Sequence, residues 1–130
     1  MRPALALSLE AHAVALFVRI LVRTSSLKRA AGVLAGVPRR RAVSADTAAS
    51  CVAAARQVTA RVAHPTCLYQ SLVAFALLAR RGYAVTLHVG ARRRQWLEAH
   101  AWLTIDGHPY EPETTASYTE LWRVLAAPAR

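Results

Sequence analysis

The stretch that most constrains this chain runs from Thr66 to Gly82, TCLYQSLVAFALLARRG. Leu68, Leu72, Phe75 (or Ala76) and Ala79 recur at helical spacing. Thr66 suits the N-cap, where a side-chain oxygen accepts from a free backbone N–H of the first turn, and Gly82 suits the left-handed position that ends a helix. Cys67 is therefore expected in the first helical turn. There the unpaired N–H groups and the positive end of the helix dipole favour a thiolate. A small apolar residue at a helix start is the plainer role for a cysteine in that position. The choice between nucleophile and packing depends on what the rest of the chain brings to it.

N-terminal to this stretch the pattern is helical. Residues 4 to about 23 read as an amphipathic helix, with Leu9, Ala13, Leu16, Phe17, Ile20 and Leu21 on its core face. Glu10, His12 and Arg19 make it too polar for a secretory signal or a membrane span. A short helical piece follows from Thr24 and closes at Gly36 and Pro38, and PRRRAVS is a basic connector. Asp46 caps a third helix over about 47–62, burying Val52, Ala55, Val58 (or Thr59) and Val62. Cys51 beside that stripe is structural. His64-Pro65 breaks the chain before Thr66.

After Gly82 the period changes from 3.6 to 2. Tyr83, Val85, Leu87 and Val89 alternate with Ala84, Thr86 and His88, as a strand requires. Gly90 to Arg94 reads as a basic turn, and Ala99 to Ile105 alternates again. Asp106-Gly107 is a strong two-residue hairpin signal, with His108 to Pro112 as a short return strand at an edge. Ser117-x-x-Glu120 is a capping box that would open a final short helix with Leu121, Trp122 and Leu125 inside. The order gives an α+β fold: a helical region over 1–41 and a main domain over 42–130, packed as one unit.

The bulk numbers narrow the function classes. Sixteen Arg and one Lys against seven acids give a net charge of +10, which suits an anionic partner or simply reflects an Arg/Ala-rich composition. A small nucleic-acid-binding domain is one reading of that charge, but the chain has no recognition-helix or stacking-platform motif. Two cysteines make no disulfide framework, and neither Cys nor His falls at metal-ligand spacing, so no metal and no cofactor are expected. With no secretory signal the chain reads as cytoplasmic.

A thiolate nucleophile needs a base, and the base needs an orienting acceptor. His100 on the HAWL strand is the candidate base, sharing a face with Trp102 and Thr104. If Asp106-Gly107 forms a two-residue turn, Trp102 faces Glu111 and His100 faces Glu113, so both acids share the histidine's side. Asp106 lies in the turn, over ~10 Å along the strand at about 3.3 Å per residue, and suits turn chemistry. Glu111 is thus the first candidate acid, with Glu113 and Asp106 as alternatives. Arg92, Arg93 and Arg94, with Trp96, are candidates for holding an acidic or extended peptide.

CLYQSLVAFALLARRG, a strand ending in HVGA, and HAWLTIDG together resemble the transglutaminase-like processing proteases of lasso-peptide biosynthesis. The resemblance runs from about Ala42 onward, with the N-terminal helices similar in character only. It implies a transglutaminase- or papain-like core, with Cys67 as nucleophile and His100 as base. Glu111, in the Tyr-Glu-Pro segment, stands where the family normally has Asp. The resemblance further implies removal of the leader from a ribosomally made precursor, working with a separate leader-recognition protein and a lasso cyclase. The oxyanion would be held by the Cys67 backbone N–H, with Gln70 as a further contributor. A non-hydrolytic acyl transferase would use the same residues.

Overall fold

The computed structural model describes residues 3–35, 48–60, 67–110 and 118–126. Among these residues, four helices precede a four-stranded antiparallel sheet: α1 (Pro3–Thr24), α2 (Leu27–Ala35), α3 (Ala48–Thr59), α4 (Cys67–Arg80), β1 (Val85–Arg93), β2 (Leu97–Ile105), β3 (His108–Pro109) and β4 (Thr119–Ala126). The expected α+β class is what forms. The strands lie in the order β3-β2-β1-β4.

α4 is the centre of the molecule. Every residue from Leu72 to Ala79 is buried, so this helix is apolar all round rather than along one stripe, as a helix enclosed by other elements must be. It packs on α1, α2 and α3 and on β1 and β2. Its end forms as the sequence indicates. Gly82 takes φ 83°, the Gly82 N–H donates to Ala79 O (3.0 Å) and the Tyr83 N–H donates to Leu78 O (3.2 Å). That paired 5→2 and 6→1 pattern satisfies the last carbonyls of the helix and turns the chain into β1.

The N-terminal helices share this core. Leu7, Ala11, Val14, Ala15 and Val18 of α1 are buried with Leu34, Cys51, Val52, Ala55 and Val58 against α4 and the sheet. The expected core face of α1 is therefore corrected: Leu9, Ala13, Leu16, Phe17 and Ile20 are exposed, and only Leu21 of that set is partly buried. α1 carries two apolar stripes on opposite sides. The one with the smaller side chains lets neighbouring helices approach closely and wins the core. Glu10 fixes the rotation by pairing with Arg80 (3.1 Å), the last residue of α4, and with Arg81 just after it (2.7 and 2.9 Å). Leu5–Thr24 is also long and apolar enough to cross a membrane by length and composition, so its charges do not make it too polar on that count.

Two local expectations change in the sheet. The strand β1 runs through Gly90, Ala91, Arg92 and Arg93, so the basic turn is confined to Arg94, Gln95 and Trp96. Arg92 opposes Glu98 across the strands, and its Nε donates to that carboxylate at 2.8 Å, which favours continued pairing over a turn. The expected C-terminal helix is instead the strand β4, paired with β1 from Val85↔Ala126 to Ala91↔Thr119. Trp122 and Val124 pack inward while Leu121, Arg123 and Leu125 are exposed. That period-2 alternation, together with the need of β1 for a second neighbour, overrides the local capping signal.

The Asp106-Gly107 turn has φ 52° and 83° at its two central residues, as a type I′ hairpin needs. Thr104↔Pro109 and Ile105↔His108 are paired, and the Tyr110 N–H donates to Leu103 O at 3.1 Å. The Asp46 and Ser117 caps, Thr66, Val62, His64-Pro65, the Gly36–Pro38 closure and the PRRRAVS connector lie outside the described residues.

Candidate active site

Cys67 is the first residue of α4 and is exposed, whereas Cys51 is fully buried. Two contacts hold this end of the helix. Ser71 Oγ donates to the Ala101 carbonyl of β2 (3.2 Å), and Tyr69 Oη donates to the Ala15 carbonyl of α1 (3.1 Å). Ser71 is one turn on from Cys67 and Ala101 is the neighbour of His100, so one hydrogen bond ties the cysteine's turn to the histidine's strand.

Cys67, Gln70, Ser71, His100 and Tyr110 line one cavity, with Arg56 of α3 at its wall. The consecutive residues His100, Ala101, Trp102 and Leu103 all contribute, so the cavity lies against the edge of β2. The structure brings the candidate nucleophile and the candidate base to a single concave site.

His100 is half-buried, and its Nε2 is buried with no hydrogen-bond partner among the described residues. Burial first, and then the Arg92 guanidinium, pushes its pKa below the usual histidine value. Both effects favour a neutral imidazole able to take a proton. The ring stacks with Trp102 (centroids 5.8 Å apart, planes 20°) and meets Tyr118, the residue before β4, at 4.7 Å.

The candidate acids are distributed differently. Asp106 sits at the hairpin turn, exposed, and its N–H donates to the Ala84 carbonyl (2.8 Å); it performs turn chemistry away from the cavity. Glu111 and Glu113 lie outside the described residues. Gln70 lines the cavity beside Cys67. Of the basic candidates, Arg92 is occupied: its guanidinium pairs with Glu98 and lies 4.4 Å over the Tyr118 ring. Arg93, Arg94 and Trp96 are exposed. Among the described residues no group of three His, Cys, Asp or Glu side chains could hold a metal ion.

Several contributors went unread in the sequence: Ser71, Tyr118, and a second histidine, His88, with Glu120. The period-2 pattern places His88 on the face of Trp102, but Glu120 could not be set beside it while residues 117–125 read as a helix.

A transglutaminase-like superfamily model matches residues 9–123, which is most of the chain. The chain belongs to the transglutaminase-like superfamily. This superfamily generally comprises cysteine-dependent enzymes, which suggests protease- or acyltransferase-type activity for the domain. The four helices and antiparallel sheet accord with a transglutaminase-like core. No curated protein and no solved structure matches the chain.

Proposed function

We propose that the chain is a cysteine peptidase that removes the leader from a lasso-peptide precursor. The single observation that carries this reading is the shared cavity of an exposed helix-start cysteine and a histidine with a buried, unpartnered ring nitrogen. The motifs CLYQSLVAFALLARRG and HAWLTIDG supply the lasso-peptide assignment by resemblance.

Cys67 is the nucleophile and His100 the base. Neutral His100 takes the thiol proton, and the thiolate attacks the scissile carbonyl of the leader's last residue. The Cys67 backbone N–H, with Gln70, stabilises the oxyanion. The imidazolium returns its proton to the departing amine, which becomes the new N-terminus of the core peptide. Water, losing a proton to His100, then hydrolyses the thioester and releases the leader as a free acid. Glu111 is the orienting acid. It stands in the Tyr-Glu-Pro segment, where by the resemblance the family has its acid. Arg93, Arg94 and Trp96, on and beside the turn that ends β1, are the residues for holding leader peptide. A leader-recognition protein presents the precursor, and a cyclase consumes the freed core.

The reading is tested by incubating the protein with a candidate precursor and its recognition protein, followed by mass spectrometry of the fragments. Wild type should release leader and core, and Cys67→Ala and His100→Ala should release neither while remaining folded. Normal cleavage by Cys67→Ala would overturn the reading.

A further inference from the structure

The sheet face that carries His100 also carries a second, fully satisfied histidine. His88 of β1 opposes Trp102 of β2. Its Nδ1 bonds Glu120 of β4 and must carry the proton, since a carboxylate only accepts; its Nε2 lies 3.0 Å from the Thr104 hydroxyl. Glu120 is held from its other side by Arg123, whose Nη2 and Nε donate to the second carboxylate oxygen at 2.6 and 2.9 Å. With both nitrogens bonded, the His88 ring has one orientation. It lies parallel to Trp102, with centroids 5.5 Å apart and planes 6° apart.

Trp102 in turn stacks with His100, and β1 is cut away to allow it. A Cβ on Gly90 would come within 2.7 and 2.9 Å of the indole and 2.5 Å of the Thr119 carbonyl. Three elements therefore converge on one ring array that ends at the candidate base.

We infer that Glu120 and His88 are positioning residues: through Trp102 they hold the His100 imidazole at one orientation in the cavity it shares with Cys67. This deepens the proposed function and rests on its pairing of Cys67 with His100. If the array is loosened, His100 samples other rotamers and is less often placed to take the Cys67 proton.

Among the described residues, the charged and titratable groups around these rings come from several strands and helices. Arg92 and Glu98 lie on the His100 side of the sheet and Tyr118 is against its ring; Cys67, Arg56 and Tyr110 line the cavity; Glu120 and Arg123 adjoin His88.

The test is the rate of Cys67 alkylation by iodoacetamide at neutral pH, which needs no peptide substrate and is unobscured by Cys51, which is buried. Wild type should react faster than His100→Ala, which lacks the base. His88→Ala and Glu120→Ala should each slow the reaction of Cys67 about tenfold through loss of the aligned His100 population. Glu120→Gln keeps an acceptor for Nδ1–H and should recover most of that rate, a rescue that a general loss of stability would not produce. Should His88→Ala fail to fold, the Glu120→Ala and Glu120→Gln pair decides. A Glu120→Ala rate equal to wild type, or equal losses in both Glu120 variants, would overturn the inference. A His100→Ala rate equal to wild type would instead overturn the pairing of Cys67 with His100, and the inference with it.

Discussion

Two histidines stack on the same tryptophan, and their surroundings differ in one respect. The half of the sheet face around His88 leaves no polar atom of that ring unpaired, because Glu120 and Thr104 take both nitrogens. The half around His100 leaves Nε2 buried and without a partner among the described residues. A buried polar atom without a partner costs free energy, so it is kept where chemistry needs it. The comparison separates a ring that is locked from a ring that is available, although both sit on neighbouring strands within reach of Trp102.

The largest effect should come from the available ring and its partner. His100→Ala or Cys67→Ala should lower leader cleavage by about 10³-fold or more, measured as initial rates, because the two act as one unit. His88→Ala should cost less, about tenfold; equal losses at both histidines would erase the distinction between them.

Gly90 probes the seam between the halves. Gly90→Ala should destabilise the fold by about 1–3 kcal/mol in urea melts, since its Cβ meets a backbone carbonyl that cannot swing aside. It should also lower activity by disturbing Trp102.

Arg92 sharpens the comparison electrostatically. Its positive charge contributes to holding His100 below the usual histidine pKa. Arg92→Gln removes that repulsion of the protonated form, so the His100 pKa should rise part of the way toward its ordinary value, burial being the larger cause, in an NMR titration of the ring protons. An unchanged or lower value would contradict the assignment of cause.

The smallest effect lies outside the site. Glu10→Ala should destabilise by about 1 kcal/mol, because its ion pairs with Arg80 and Arg81 are partly exposed.

Much of this arrangement was legible in the residues. The start of α4 at Cys67, its Gly82 stop, the Asp106-Gly107 turn and the face shared by His100, Trp102 and Thr104 follow from local spacing and turn chemistry, which the fold leaves intact. What was not legible depends on distant partners. The capping box at Ser117 is a local signal, and the unpaired edge of β1 is a tertiary one; the edge won, so Glu120 arrived beside His88 unannounced. α1 has two apolar stripes, and hydrophobicity alone favours the stripe with larger side chains. Packing chose Leu7, Ala11, Val14 and Val18 because helices pack closely on small residues.

The central claim is that Cys67 attacks the leader carbonyl with help from His100. The most direct measurement is intact-mass analysis of the protein quenched in acid during turnover of a precursor with its recognition protein. The expected result is an adduct of the leader's mass less one water, mapped to the peptide containing Cys67 and absent from Cys67→Ala. Turnover without any adduct, together with undiminished cleavage by Cys67→Ala, would contradict it.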